Sequence, residues 1–538
     1  MVEFSINDNI NEILNQVHQK KPDLIVSTVY MFNRDFVLNL ISKLAVISPK
    51  THIALGGPEF LGNNESILKQ YPWISAIFRG DESSLPAYLN LLSAGKSYPE
   101  NLKQIRGICF ISEENDYFDD GTAIFKNNLD NLPSPYNFGY FNKNRAFVQI
   151  ETSRGCPSKC SFCTSSLTKK VQYYSLDRVY SDLTYIKNAG IREVRVLDRT
   201  FNLPSDRAVK LLKVFSEEFS DIRFHLEFDP SKLTDEIFEQ LNKAPSGQFH
   251  IETGIQTFYP PALNAINRNA VAQKAEEGLK KLVSIQGIEI HADLIYGLPE
   301  QTVESVFSDL RKLILIGPEE IQIEVLKILP GTLIKDSTVI KHSPSTPYDV
   351  LSTENMDMSD ILQLSYLSKI IDSYYNIKAT RNLIQFAVIN DNSFLEKFIL
   401  FGAKHFSAYN GKPSPSVRFK LLFEFALETK NTLLYAITLF TYFCAGFFQN
   451  PNESSNRITQ IKRHEFHKIL KEDLPIIWSD NKKTIDKPSY MASFDYNAAD
   501  IWLNPKSTAK KGDYKYLFLL SQGGMNKRVS KIMDIKER

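Results

Sequence analysis

The sequence predicts an α/β protein in three parts: a doubly wound N-terminal domain, a central partial (βα)6 barrel and a mainly helical C-terminal extension. Three observations predict this. Short apolar runs rich in β-branched residues alternate with helix-period segments over residues 23–92 and again over 146–335. A Pro- and Asn-rich stretch centred on Leu132-Pro133-Ser134-Pro135-Tyr136 separates the two blocks. Beyond residue 346 the apolar spacing turns helical. The 538 residues, too many for one core, are therefore divided into 1–130, a linker 131–145, 146–345 and 346–538.

In the first part, Asp23 to Val29 reads as a buried strand and Phe36 to Leu44 as a helix. Thr51 to Leu55 is the next strand, closed by Gly56-Gly57-Pro58-Glu59. A helix near Ile67 to Tyr71, a strand Ile74 to Phe78, the turn Arg79-Gly80-Asp81-Glu82 and a helix Leu85 to Leu92 follow. Ligands of such sheets lie over the carboxyl ends of the strands, so the loops after Thr28, Leu55 and Phe78 form the candidate face. Glycine and proline at a strand end are also ordinary turn chemistry.

In the central part, Ala146 to Ile150 is the first strand, and Ser175 is the expected N-cap of the helix through Val179, Leu183 and Ile186. Further strands are expected at Glu193–Leu197, Arg223–Phe228, Phe249–Gln256, Ile288–Ile295 and Ile321–Leu326, with a helix at Ala208–Phe219. Six units make an incomplete barrel, open on one side, which suits a large substrate. Asp198, Glu227, Glu252, Gln256, His291 and Asp293 recur at strand ends or inner faces. A barrel filled only for stability carries Val, Ile and Leu there. Buried carboxylates cost several kcal/mol unless paired, so they point to a polar ligand, or to ion pairs with Arg154, Arg195, Arg199 or Arg268.

The loop after the first barrel strand reads Arg154-Gly155-Cys156-Pro157-Ser158-Lys159-Cys160-Ser161-Phe162-Cys163 and holds three of the five cysteines. Three thiolates at C-x3-C-x2-C spacing converge on one inorganic centre, one short of the four ligands of a closed zinc or iron–sulfur site. Cys109 and Cys444 lie far away in apolar surroundings, and a zinc site lacks its fourth ligand nearby. The simplest reading is a [4Fe-4S] cluster with one iron open to a carboxylate and an amine.

This loop, with Phe162 before the third cysteine, is similar to the signature of radical S-adenosylmethionine (radical SAM) enzymes. The resemblance implies that Cys156, Cys160 and Cys163 hold the cluster and that the open iron chelates SAM, whose reductive cleavage gives a 5′-deoxyadenosyl radical. It also implies SAM contacts at Phe162, Asp198 (near the methionyl amine), Glu227, Glu252, Gln256 and the backbone at Leu329. An external one-electron reductant of flavodoxin or ferredoxin type is implied as well. Lys21-Pro22-Asp23, Leu55-Gly56-Gly57-Pro58-Glu59 and Arg79-Gly80-Asp81-Glu82 make the first part resemble the cobalamin-binding domain of many such enzymes. Tyr30, Gly56, Gly57 and Gly80 would then face cobalamin. That domain usually begins with one more strand–helix unit, and this chain starts after it.

The last part is expected to be helical at Ile361–Ile371, Ser393–Phe406, Arg418–Leu427 and Leu433–Phe448. The very apolar Leu433–Cys444 run is short for a membrane span and reads as a core helix. Tyr514–Leu520 reads as a late strand, followed by a basic solvated helix. This part, with Asp198-Arg199-Thr200-Phe201-Asn202, resembles an extension found in one branch of cobalamin-type radical SAM proteins. A formal net charge of +1 gives no electrostatic argument for nucleic acid or membrane partners. Clustered cysteines and an amino terminus without a signal-peptide pattern point to the reducing cytoplasm. Cobalamin-dependent C-methylation of a bulky peptide, natural-product or lipid intermediate is the leading expectation. The alternatives are a cobalamin-independent epimerase, with Cys444 or a tyrosine as hydrogen donor, a radical rearrangement, and a non-catalytic barrel that binds a partner.

Overall fold

The computed structural model describes residues 4–95, 99–125, 128–168, 170–268, 272–406, 413–448, 458–460, 476–479, 487–523 and 526–535. They form two compact units, one of residues 1–288, 295–302 and 325–361, the other of 289–294, 303–324 and 362–538.

The first unit opens with α1 (Ile10–Gln19), β1 (Leu24–Thr28), α2 (Arg34–Ile47), β2 (His52–Gly56), α3 (Glu65–Gln70) and β3 (Ala76–Phe78). Next come α4 (Leu85–Ser93), α5 (Pro99–Leu102), β4 (Ile108–Ile111) and β5 (Tyr117–Asp119). The sheet runs β1-β2-β3-β4-β5, parallel over the first three strands and antiparallel over the last two. Val37, Leu38 and Ile41 of α2 and Leu68 of α3 bury Ile53, Leu55 and Ile77 on one face. Tyr88 and Leu102 of α4 and α5 cover Ala54, Ala76 and Phe78 on the other. Both faces are covered, so the domain is doubly wound as expected. The β4–β5 hairpin and α1 were not expected. The hairpin strands are short, and their apolar runs are broken by Glu, Asn and Asp.

The barrel segment contributes β6 (Val148–Ile150), β7 (Ser153–Arg154), β8 (Gln172–Tyr173), α6 (Leu176–Asn188), β9 (Glu193–Val196) and α7 (Ser205–Glu218). It continues with β10 (Arg223–Phe228), α8 (Asp235–Asn242), β11 (Phe249–Gln256), α9 (Pro260–Ala265) and α10 (Ala272–Val283). β12 (Glu289–Tyr296), α11 (Val303–Ile316) and β13 (Glu320–Val325) complete it. The parallel sheet has six strands in the order β13-β12-β11-β10-β9-β6, the partial barrel the sequence predicts. Ser175 caps α6 by accepting from the Arg178 amide at 3.1 Å. Alternation on β10 is strict: Phe224, Leu226 and Phe228 are buried, whereas Arg223, His225 and Glu227 keep partial exposure. Phe224 stacks on Phe215 of α7 at 4.1 Å, and burial of each such ring contributes about 1.5–3 kcal/mol. The core therefore lies between sheet and helices, and the polar residues lie on the opposite face of the sheet.

Past the barrel lie β14 (Lys341–His342), β15 (Val350–Ser352), α12 (Met358–Ile370), α13 (Lys378–Asn390), α14 (Phe394–Phe406), α15 (Pro415–Glu428) and α16 (Thr432–Cys444). α16 is the core helix expected there: Phe440 and Phe443 are buried against Phe494 and Phe518. No helix among the described residues is long and apolar enough to cross a membrane. The helices are joined by an antiparallel sheet, of which the sequence announced only the strand at Tyr514–Leu520. Its strands β16 (Ile458–Gln460), β17 (Ile476–Ser479), β18 (Lys487–Tyr496), β19 (Lys511–Gly523) and β20 (Asn526–Asp534) lie in the order β16-β18-β19-β20-β17, with α17 (Ala498–Leu503) between β18 and β19. The basic tail is thus a strand rather than a solvated helix. Val529, Ile532 and Met533 are buried, and pairing with β19 satisfies its backbone.

Candidate functional site

The cysteine loop leaves the sheet at the carboxyl end of β6, and its departure is set by Asp198, just past β9. Asp198 is 3% exposed and accepts four bonds: from the Thr152 amide (2.7 Å), the Thr152 hydroxyl (2.6 Å), the Ser153 amide (2.9 Å) and the Ser153 hydroxyl (2.7 Å). Burial pushes its carboxyl pKa up against those four bonds. The carboxylate expected near a ligand amine is thus spent on the loop itself. The residues after it reach further, and the Thr200 hydroxyl lies 3.8 Å from the Cys156 sulfur.

Gly155 has φ +98°, and a Cβ there would come within 2.8 Å of the Lys170 carbonyl, so only glycine fits this turn. Further along, the Ser161 amide donates to the Ile266 carbonyl at 2.9 Å, and the Ser161 carbonyl accepts from Ile334 at 3.0 Å. Cys160 is buried; Cys156 and Cys163 are half-buried. Arg268 donates one N–H to the Cys160 sulfur at 3.7 Å and another to the Gly254 carbonyl at 2.5 Å. Burial pushes the Cys160 thiol up, Arg268 opposes this, and the nearby Cys163 and Cys156 thiols add to the rise. The three thiols therefore sit within electrostatic reach of one another. Among the described residues no three His, Cys, Asp or Glu side chains gather about a single metal position. A cuboidal cluster spreads its thiolates over separate irons, and three soft, neighbouring thiols on one loop suit it.

Around the barrel, Glu227 pairs with Arg199 at 3.3 Å, one of the arginine partners the ion-pair alternative named, whereas Glu252 meets His225 at 2.8 Å, a partner it did not name. Both carboxylates keep about a third of their surface, 30% and 33%, so each can still meet a ligand. Gln256 ends β11 at φ +67°, and a Cβ on Gly254 would collide with its folded-back amide. Phe162 is half-buried beside Cys163. The Leu329 carbonyl accepts from the Thr332 hydroxyl at 2.7 Å in the turn after β13. His291 and Asp293 pair with each other at 3.1 Å. Cys444 closes α16 with its thiol pushed well up by burial. Sequence reasoning gave Arg268 and Thr200 no role at the sulfurs. Their only signal was a cation and a hydroxyl at the ends of loops facing the cysteines.

Over the carboxyl ends of β1–β3 lies a cleft of about 340 Å³ lined by Val26, Thr28, Tyr30, Gly56, Phe78 and Leu85 among others. Two of the expected glycines are explained by packing. At Gly57 (φ +108°) a Cβ would stand 2.5 Å from the Val29 carbonyl, and at Gly80 (φ +107°) it would strike the Ala123 carbonyl. Gly56 is different, because a Cβ there would make only ordinary 3.6 Å contact with Phe78. Among the described residues no close contact requires that glycine, which lines the cleft without a side chain. Tyr30 stands at the rim, 44% exposed and stacked on Phe32. The lining mixes apolar and aromatic side chains with the hydroxyls of Ser27, Thr28 and Tyr30 and the carboxylates of Asp81 and Glu82. Glu82, on the same cleft, pairs at 2.9 Å with Arg154, two residues before Cys156. Glu59 is held by Arg34 at 3.0 Å and by the Tyr348 hydroxyl, and burial pushes its pKa up.

Residues 150–313 match the model of the radical SAM superfamily, and residues 339–518 match a family described as a protein of unknown function (DUF4080). The chain is 26% identical over 302 residues to the uncharacterized methyltransferase PH0819 of Pyrococcus horikoshii, covering 54% of this chain and 64% of that protein. It is 20% identical over 368 residues to the cobalamin-dependent radical SAM methyltransferase TokK of Streptomyces tokunonensis, covering 63% and 54%. The chain thus spans between about half and two thirds of these curated relatives. Its fold is similar to that of the cobalamin-dependent SAM radical enzyme OxsB, solved with aqua-cobalamin and SAM, at a TM-score of 0.55 and 14% identity, over 79% of this chain and 69% of that one. With a three-thiol loop at the mouth of a six-stranded parallel barrel sheet, and a family match over that same segment, residues 150–313 of this chain form a radical SAM domain.

Proposed function

We propose that this protein is a SAM-dependent radical methyltransferase that carries cobalamin on its N-terminal domain and methylates an unactivated carbon of a bulky peptide, natural-product or lipid intermediate. The observation that carries the reading is the three-thiol loop tied through Arg154 to Glu82 of the N-terminal cleft. Similarity to PH0819 and TokK, both named as methyltransferases, supports it. When bound, the [4Fe-4S] cluster and SAM supply a hydrogen-abstracting 5′-deoxyadenosyl radical, and cobalamin supplies a transferable methyl group.

The chain's own residues position these groups. Cys156, Cys160 and Cys163 hold the cluster, with Asp198 fixing the base of their loop and Arg268 its centre. Glu227, Glu252 and Gln256 offer acceptors for a ribose diol, an ammonium or a sulfonium. Phe162 and the backbone around Leu329 form the adenine side. Tyr30 and Gly56 admit cobalamin, while Gly57 and Gly80 shape the strand ends beneath it. An external one-electron carrier supplies the electron.

Anaerobic reconstitution with iron, sulfide and cobalamin, followed by SAM and a strong reductant, tests the reading. The expected result is a protein that takes up both cofactors and releases 5′-deoxyadenosine. A sample that holds the cluster but no cobalamin removes the methyltransferase, and one that cleaves no SAM removes the radical chemistry.

A further inference from the structure

Building on the methyltransferase reading, we infer that the substrate presents an oxyanion, a carboxylate or a phosphate, to Arg195, His225 and Gln149 on the inner face of the barrel sheet. Strand register builds this row. Gln149 of β6 lies beside Arg195 of β9, Arg195 beside His225 of β10, and His225 beside His250 of β11. Alternation puts all four on the face opposite the buried Val148, Val194, Leu226 and Ile251. The row holds a guanidinium, two imidazoles and an amide, and no carboxylate. Two residues further along their strands, Glu227 and Glu252 lie side by side. That spacing is about 6.6 Å. These carboxylates are the acceptors assigned above to the ribose or ammonium of SAM. The inner face thus changes from acceptors to donors within one layer.

Cations in such a row often serve only to neutralise nearby carboxylates, and His225 does meet Glu252 at 2.8 Å. Arg195 does not fit that role. Its guanidinium lies over the Phe147 ring, 3.8 Å from the centroid, and the ring supports its plane. Among the described residues its one acidic partner is Glu193, through a single carboxylate oxygen 3.4 Å from both Nε and Nη2. Nη1 donates to none of them, and the side chain keeps 43% of its surface. A stacked guanidinium with an open edge is the form in which arginine grips an oxyanion through paired N–H groups. Gln149 and His225 stand on either side of it, and the His225 ring packs on His250 at 4.6 Å. A substrate anchored here by its anionic end has only one layer to span to bring a carbon to SAM.

The test uses the reconstituted full chain and phenylglyoxal, which modifies accessible arginines, with peptide mapping by mass spectrometry. Succinate and pyrophosphate, at matched ionic strength, are the probes, and glycerol is the neutral control. With one anion or both, Arg195 should be labelled about tenfold more slowly, because its N–H groups are then engaged. Protection by succinate alone identifies a carboxylate, by pyrophosphate alone a phosphate, and by both a site open to either. Arg106, 70% exposed on the N-terminal domain, should label at one rate throughout. In isothermal titration calorimetry the protecting anion should bind R195Q about tenfold and H225Q about threefold more weakly than wild type. Unprotected Arg195 with both anions overturns the inference, as does equal protection of Arg195 and Arg106, or wild-type affinity in R195Q. If R195Q does not fold, the wild-type labelling decides alone. Selective protection of Arg195 in a protein that takes up no cobalamin or cleaves no SAM sinks the functional reading and leaves the oxyanion site standing.

Discussion

Arg268 links the sulfur of Cys160, 3.7 Å away, to the Gly254 carbonyl on β11, so one guanidinium ties the most buried thiol of the loop to the barrel sheet. A hydrogen bond and a positive charge at a cluster sulfur stabilise the reduced, more negative state. Arg268→Met should therefore lower the midpoint potential of the bound cluster. The expected size is about a tenfold change in the reduced-to-oxidised ratio, or about 59 mV for one electron. Arg268→Lys should shift it less. A redox titration followed by electron paramagnetic resonance reads both, and an unchanged midpoint at full iron content would make Arg268 only a strut.

Replacing any one of Cys156, Cys160 and Cys163 by Ala removes one of only three thiols on the loop. Each variant should lose most of its iron on reconstitution and lower 5′-deoxyadenosine release by at least a hundredfold. Cys109→Ala and Cys444→Ala should leave iron content unchanged. Iron analysis with the nucleoside assay separates the two groups, and a loop variant that stays loaded contradicts the assignment.

Much of this was legible in the residues, and what was not has physical reasons. β10 and β11 were readable to the residue because period-2 alternation and β-branched or aromatic side chains coincide there. Of the C-terminal sheet only β19 was read, at Tyr514–Leu520; β18 and β20 were missed because Lys, Ser and Asp interrupt their apolar positions. The cysteines announced themselves by spacing. The engagement of Asp198 with Thr152 and Ser153 did not, since that pairing spans about 45 residues and needs β6 and β9 side by side.

Gly56 and Gly57 should separate when substituted. Gly57→Ala forces a Cβ to 2.5 Å from the Val29 carbonyl at positive φ and should lower the melting temperature. The cost is about 1–3 kcal/mol. Gly56→Val puts its Cβ in ordinary contact with Phe78, 3.6 Å away. It should leave melting and iron content near wild type while cutting cobalamin uptake at least tenfold, because its side chain enters the cleft that Gly56 lines. Spectrophotometric cobalamin titration decides; undiminished uptake by Gly56→Val would move the corrin site elsewhere.

Asp198→Asn keeps the shape but sets an NH2 against hydroxyl and amide donors that need acceptors. Leaving a buried donor unpaired costs about 1–3 kcal/mol. The variant should unfold at lower temperature and retain less iron, with Cys156 affected through Thr200. Iron retention equal to wild type would show that the loop base is held by its own turn.

Cys109 offers a test of the N-terminal core that is independent of any cofactor. It is fully buried between α3 and the sheet, where burial raises its pKa to about 11 from 9.0. The native state thus keeps the proton over a pH range in which the unfolded chain has released it. The stabilisation this provides is complete below about pH 9 and lost as pH rises through about 11. The native thiol should resist iodoacetamide at pH 8, where about one molecule in a thousand is thiolate, and its labelling rate should climb about tenfold per pH unit. Under urea the same residue should label at the rate of a free thiol. Cys109→Ala should lose some stability through the small cavity it leaves, yet decline less than wild type between pH 9 and 11. Mass-spectrometric mapping of the labelled cysteine, with denaturation curves at both pH values, gives the comparison. Rapid native labelling of Cys109 at pH 8 would mean that this core opens far more readily than its packing indicates.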